Sequence, residues 1–266
     1  MNPTVQDREF GLAARPPSRP DSAVALVDLD NWHEIEHDRP IESTLTEVVF
    51  ETTRRLLEVE PEIGFISIRL YGGWTESGAM SQAASRVATH LGGADPFPIP
   101  TEDRLVHGEL HLATGISMVP SADLGDLCRV RQGPPRLRLA STPRPIDCAD
   151  HAACAAKALQ KFTSGGQRVC PTDGCAVVAA KAFSTRQQKM VDTMMTCDLL
   201  DFVHDPDVLA VTVVTADTDL MPPLVHALAL GRVSILLQTN LPYWPPTQLE
   251  TLRRCGIIYF GPEGDQ

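Results

Sequence analysis

Hydrophobic positions along this chain fall into two kinds of run. Short continuous runs predict strands buried on both faces, and runs at helical spacing predict amphipathic helices. The first continuous run, AVALVDL at 23–29, ends in carboxylates, and the second, GFISIRLY at 64–71, is closed by Gly72–Gly73. Between them, residues 43–58 repeat apolar positions with a helical period, and Ser43 stands where a cap belongs. A second helix is predicted over 77–91, ended by Gly92–Gly93. The pattern then loosens. Residues 94–104 are Pro-rich, 106–118 and 136–141 alternate only in part as strands would, 143–176 carry cysteines, and 176–183 would return to the sheet. Order resumes at 185–203, where Met190, Val191, Met194, Met195, Leu199 and Phe202 make one apolar helical face. A strand at 208–215, a helix at 218–230, a strand at 232–238, a short helix at 245–254 and a last strand at 257–260 complete the series.

Alternation of this kind predicts an α/β, Rossmann-like fold: a mainly parallel sheet with helices on both faces. Ligands bind such sheets at the carboxyl ends of the strands, where Asp28, Asp30 and Asp217 fall. No apolar run approaches the roughly 18 residues of a membrane span. Residues 1–22 lack the apolar segment of an export signal, and their Pro and Arg predict a disordered leader. The seven cysteines, an odd number without an export signal, argue against a disulfide framework. A cytoplasmic protein with no membrane partner is expected, and homo-oligomerisation is left open.

The acidic residues narrow the chemistry. Asp28 and Asn31 sit in VDLDN, Asp192 in KMVD with Asp198 six residues on, and Asp217 and Asp219 in TADTD. Carboxylates converging on one crevice repel one another unless a cation joins them. Hard oxygen ligands suit Mg²⁺ or Mn²⁺, ions that activate water and stabilise a phosphoryl transition state. Structural roles stand beside this one: Asp219 can cap the helix that follows, Asp30 can close a turn, and Asp198 can lie on a solvated face.

The set VDLDN…KMVDTMMTCDLL…VVTADTDLMPPLVHALALGRVSILL resembles the NYN domains of the PIN-like ribonuclease superfamily. Those domains open on a strand ending in D-x-x-N, matched by Asp28 and Asn31. Their K-x-x-D helix falls on Lys189 and Asp192, with Asp198 at a further position that is often acidic. Their S-G-D-x-D-F-x-P turn falls on Asp217, Asp219 and Pro222, and a late glycine on Gly231. Thr215–Ala216 replace the usual S-G, and Leu220 replaces Phe; both changes keep the carboxylates. The matched segments cover 23–72 and 185–240, under half of the chain. The resemblance implies a PIN-like domain over 23–266, interrupted by an insertion at 94–184, and metal-dependent cleavage of RNA. Asp28, Asp192 and Asp217 would hold the metal and Asp219 would complete its shell. Asn31 would orient a ligating carboxylate or a substrate phosphate. Lys189, one helical turn before Asp192, would contact the scissile or adjacent phosphate, with Arg186 adding to that contact.

Charge at first opposes an RNA partner, because the net charge is −11. Its distribution does not. Eleven Lys/Arg against three acids between Arg129 and Lys189 give that stretch +8 and leave −19 elsewhere, and a basic segment on an acidic body engages phosphates by releasing counterions. The same stretch holds Cys148, Cys154, Cys170 and Cys175, with His151 between the first two. Thiolates grouped this way can close a structural Zn²⁺ site; the spacings of five and four residues are looser than C-x2-C, and buried thiols explain them as well. On the zinc reading the insertion is a metal-stapled basic flap.

Two other functions compete. VDLDN also fits the D-x-D of phosphatases of the haloacid dehalogenase type, whose first Asp is a nucleophile and second a general acid. Asn31–Trp32 depart from the residues expected after it. A non-catalytic module binding RNA or protein would use the carboxylates only as caps, and the full acidic set at strand ends speaks against it. Aromatic residues are 5% of the chain, so extensive base stacking is not indicated. Trp74, at the end of the second strand, is the aromatic nearest the expected crevice.

Overall fold

The first strand, β1 (Ser22–Asp28), is buried along its whole length, as a run of small and branched apolar residues between two parallel neighbours must be. The structure, a computed structural model, describes residues 21–32, 41–93, 96–120, 122, 124–134, 154–188, 190–230, 233–239 and 244–261. After β1 come a single helical turn, α1 (Leu29–Trp32), the long helix α2 (Ile41–Val59) and β2 (Phe65–Tyr71). A short ribbon, β3 (Thr75–Glu76) with β4 (Ala79–Met80), precedes α3 (Gln82–Gly93), then β5 (Ile99–Pro100) and β6 (Leu105–Leu112). Next are β7 (Cys128–Gln132), α4 (Ala155–Thr163), α5 (Ala179–Ala182) and β8 (Ser184–Gln188). The chain continues with α6 (Val191–Phe202), β9 (Val208–Val214), a 3-10 turn (Thr218–Leu220), α7 (Met221–Ala229), β10 (Ser234–Gln238), α8 (Pro246–Cys255) and β11 (Ile258–Phe260).

Seven strands form one sheet in the order β11-β10-β9-β1-β2-β6-β5. All neighbours are parallel except the edge strand β5, which runs antiparallel to β6. The fold is therefore α/β, with a mostly parallel mixed sheet compatible with a Rossmann-like architecture. Strand order grows outward from β1 in one direction through β2 and β6, then in the other through β9, β10 and β11. Right-handed crossovers place α2 and α7 on opposite faces. α2 packs with α3, and α7 packs with α6 and α8. No helix among the described residues is long and apolar enough to cross a membrane.

Contacts divide the chain into two units, 1–127 with 189–266, and 128–188. The second unit contains the antiparallel β7–β8 ribbon, α4, α5 and a tight turn whose base is the bridge Val169–Val178. The sheet thus takes β5 and β6 from the stretch that was expected to interrupt it.

Several elements depart from the sequence pattern for local reasons. The helix expected from 77 begins only at Gln82, because Ser77 and Gly78 both take positive φ (55° and 72°) and turn β3 into β4 as a two-residue hairpin loop. Ser81 then caps the helix, its Oγ accepting from Ala84 N at 3.2 Å. Ser43 lies inside α2 rather than at its cap. Residues 179–182 form a helical turn instead of rejoining the sheet. Residues 184–188 pair with β7, so α6 starts at Val191 rather than 185. The leader expected over 1–22 overlaps β1, which begins at Ser22; its residues 1–20, the strand expected at 136–141, and Gly231 lie outside the described residues.

Gly108 on β6 is a position where a side chain has no room: a Cβ would lie 2.5 Å from the Ile66 carbonyl oxygen and 2.5 Å from the Phe97 ring. Gly108→Ala is expected to lower stability by about 1–3 kcal/mol through overpacking, read as a fall in the urea midpoint at unchanged slope.

Candidate functional site

The point where strand order reverses is the crevice-forming position of an open parallel sheet, and here it lies between β1 and β9. Val27 pairs with Val214, so the two strands end level. Asp28 closes β1 and is 1% exposed. Beyond β9, the Asp217 backbone N–H donates to Thr215 Oγ1 (3.0 Å). Asp217 Oδ1 in turn accepts from the Asp219 N–H (2.8 Å), capping the 3-10 turn. The capping role considered for Asp219 therefore belongs to Asp217. Pro222 and Pro223 follow in the first turn of α7, where a missing N–H leaves nothing unsatisfied. Asp217 is half-buried and Asp219 is exposed.

Asp192 reaches the same place from α6. It lies in the first turn of that helix, which packs against both β1 and the 3-10 turn. The residue before the helix, Met190, takes left-handed backbone angles (φ 63°, ψ −1°) and gives no side-chain cap. A non-glycine residue held there is strained, and the strain sits two residues from Asp192. Partial burial, and after it the charges of Asp217 and Asp219, hold the Asp192 carboxyl above the usual carboxylate range. By surface area the residue is largely open to solvent, so the desolvation part is screened, and the like-charge part is the firmer inference from the packing of α6 on the turn.

Three of the four expected ligating carboxylates thus share one electrostatic neighbourhood, and Asp28 lies at the end of the adjoining strand. Among the described residues, no three His, Cys, Asp or Glu side chains stand as a ready metal-holding group. Mg²⁺ does not require one: it keeps several waters and is held by one or two carboxylates together with substrate phosphates. The donor set, hard oxygens under mutual repulsion, fits such an ion. Neither family models, curated proteins nor solved structures match this chain.

The remaining expected residues separate. Asn31 is in α1, its side chain outside the description; Lys189 and Cys148 lie outside the described residues. Arg186 is on β8, in the 128–188 unit. Trp74 is buried, its indole N–H donating to the Leu70 carbonyl at 2.7 Å, so it offers no stacking face. Cys170 and Cys175 do meet. Their turn carries Gly174 at φ +77°, Cys170 N–H bonds the Val177 carbonyl (2.8 Å) and Cys175 N–H the Thr172 carbonyl (3.1 Å). Hydrogen bonds from the Thr172 hydroxyl and backbone, and then from Cys175, lower the Cys170 thiol below its ordinary range. Cys154 occupies the N-cap position of α4 without a side-chain capping bond, and the thiols of Cys170 and Cys175 alone are half of a tetrahedral set.

One buried polar cluster escaped the sequence pattern. Arg69, in the middle of β2, is fully buried, and its Nε donates to Asp198 Oδ2 at 3.0 Å while Nη2 bonds the Gly115 carbonyl at 3.0 Å. The Tyr71 hydroxyl donates to the same Asp198 oxygen, and the Ser117 N–H to the other (2.7 Å). Burial, and then the charge of Asp198, hold Tyr71 well above its ordinary range, so its hydroxyl remains a donor. Asp198 is an anchor for α6, not a residue on a solvated face. The signal for it was Arg69 itself, a charge inside an otherwise apolar strand.

Arg69→Met strands a buried carboxylate and is expected to cost about 3–5 kcal/mol, measured by urea unfolding. Arg69→Lys recovers only part, since one ammonium cannot reproduce the guanidinium fork. For Asp192 the sign is opposite. Its folded-state pKa is raised, so the penalty for its charge is absent below the unfolded carboxylate value of about 3.9 and complete once pH exceeds the folded value. In EDTA, Asp192→Asn therefore gives a small rise in Tm at neutral pH that vanishes as the pH is taken below the carboxylate range.

Proposed function

We propose that this protein is a metal-dependent ribonuclease of PIN-like type, hydrolysing RNA phosphodiesters at the carboxyl ends of β1 and β9. One observation carries the reading: Asp217 and Asp219 stand close enough to Asp192, which comes from a separate element, to oppose its ionisation, at the switch point of a parallel sheet whose β1 ends in buried Asp28. Surplus negative charge in that position is unfavourable for a structural role and suited to a divalent cation. A bound Mg²⁺ or Mn²⁺ supplies a water of lowered pKa and charge balance for the phosphoryl group.

The chain's own part is positional. Asp28 is rigid because β1 is clamped between β2 and β9. Asp217 is fixed by its own capping bonds, which engage Oδ1 with the Asp219 N–H. Asp192 is carried on a helix tied to the sheet through Asp198. Asp219, exposed at the first turn, is placed to hold water or an outer coordination position. Asn31 and Lys189 complete the reading as groups that orient a carboxylate and a phosphate.

The haloacid dehalogenase alternative asks Asp28 to attack phosphorus directly and form an aspartyl-phosphate. The test is cleavage of labelled single-stranded RNA by the full chain in Mn²⁺, Mg²⁺ or EDTA. Cleavage is expected with metal, not with EDTA, and to drop by at least about 100-fold in Asp217→Asn, the scale of losing a preorganised electrostatic group. Equal RNA binding by both proteins with no cleavage by either sinks the hydrolase and leaves a binding module. A phosphoenzyme trapped on Asp28 would favour the phosphatase.

A further inference from the structure

The 128–188 unit has a recess of about 510 Å³ along α4, lined by Lys157, Lys161, Phe162, Arg168 and Val169, with Cys154 at its end. Its volume falls within the range of ligand sites. Three of these side chains are cationic, and no acidic side chain lines the recess among the described residues. Lys157 and Lys161 stand one helical turn apart on the same face, a like-charge pair that works against the helix. Arg168 joins them from the loop after α4. Cations gathered around one concavity raise the local concentration of anions and focus their approach. The walls between them are apolar: Val169 is 56% exposed, and Phe162 is braced against Phe183, ring centroids 5.6 Å apart. A small inorganic anion has no use for such walls, whereas a nucleotide presents phosphate, sugar and base face together.

We propose that this recess binds the phosphate backbone of a single-stranded RNA, with Lys161 and Arg168 contacting phosphates and Phe162 and Val169 meeting sugar or base. The choice of RNA rests on the hydrolase reading above; the recess and its charge do not.

The experiment is fluorescence anisotropy of a short labelled single-stranded RNA with the full chain carrying Asp217→Asn, in EDTA, across a salt series. Lys161→Ala/Arg168→Ala is compared with Lys181→Ala/Arg86→Ala, which removes the same charge from exposed positions off the recess. Matching melting curves establish that both variants fold. The recess variant is expected to bind at least about fivefold more weakly, and its plot of log Kd against log salt to flatten by about 1.4, roughly 0.7 for each lost phosphate contact. The control keeps the parent slope. Equal behaviour of the two variants overturns the proposal, whether both lose affinity or neither does. Inorganic phosphate, exchanged for chloride at equal ionic strength, is expected to displace no extra RNA; selective displacement would assign the recess to a small phosphorylated ligand and overturn the RNA assignment. A chain that binds through the recess but cuts no RNA sinks the hydrolase alone. A chain that cuts RNA and binds it unchanged without these cations sinks the recess alone.

Discussion

The burial of β1 on both faces constrains everything around it. A strand with parallel neighbours on either side and helices above and below has no edge and no wet face, so none of its interior positions tolerates an unpaired polar group. Residues 23–27 obey this without exception, each at most 2% exposed. Chemistry can only begin where the strand stops, and the first residue there is Asp28. β9 is likewise buried and apolar through Val214 apart from Thr212, whose hydroxyl has no hydrogen-bond partner among the described residues, and its first acid beyond the strand is Asp217. Because the chain leaves β1 in one direction and returns on its other side, these two polar ends are neighbours. The acidic crevice is thus a consequence of strand order and strand burial together, before any particular ligand is considered.

Arg69 is the exception that makes the site stiff. A guanidinium inside a buried strand is unfavourable alone, and it persists because Asp198, Tyr71 and the Gly115 carbonyl meet it. Its consequence lies further along α6. Six residues separate Asp192 from Asp198, which on an α-helix is about 240° of rotation. When Asp198 points inward to Arg69, Asp192 must point elsewhere, and it emerges exposed beside Asp217 and Asp219. Two acids that look equivalent in the linear motif therefore do different things. The inner one locates the helix, and the outer one faces the crevice.

Much of this was legible as pattern. The parallel strands announce themselves as continuous apolar runs, and the acids that the structure brings near one another, Asp192, Asp217 and Asp219, stand out in the sequence as the carboxylates of KMVD and TADTD. What stayed hidden depends on partners far away in the chain. TRQQ at 185–188 has no strand character of its own and becomes β8 only by pairing with β7. Ser77 and Gly78 fit a helical pattern as letters, yet their positive φ makes a hairpin. β6 alternates weakly because one side of it packs on β2 while β5 covers only two of its residues. Arg69 was visible but unread, since recognising a buried ion pair needs both ends, and the other end lies 129 residues away.

Charge is distributed unevenly along the chain. Outside Arg129–Lys189 the chain carries −19, and within that stretch it carries +8. A polyanion approaching the acidic end alone meets repulsion from every carboxylate there, and at physiological ionic strength such repulsion acts over about 8 Å. On the proposed reading two things would remove that barrier: a divalent cation among the carboxylates would reverse the local sign, and the basic stretch of the chain would hold the polyanion against the remaining field. Neither suffices by itself: a cation neutralises charge at one point but gives no grip along a strand, and lysines and arginines grip phosphates but activate no water. The proposed division of labour asks for this segregation of charge, with acids at the switch point and cations gathered in another stretch of the chain.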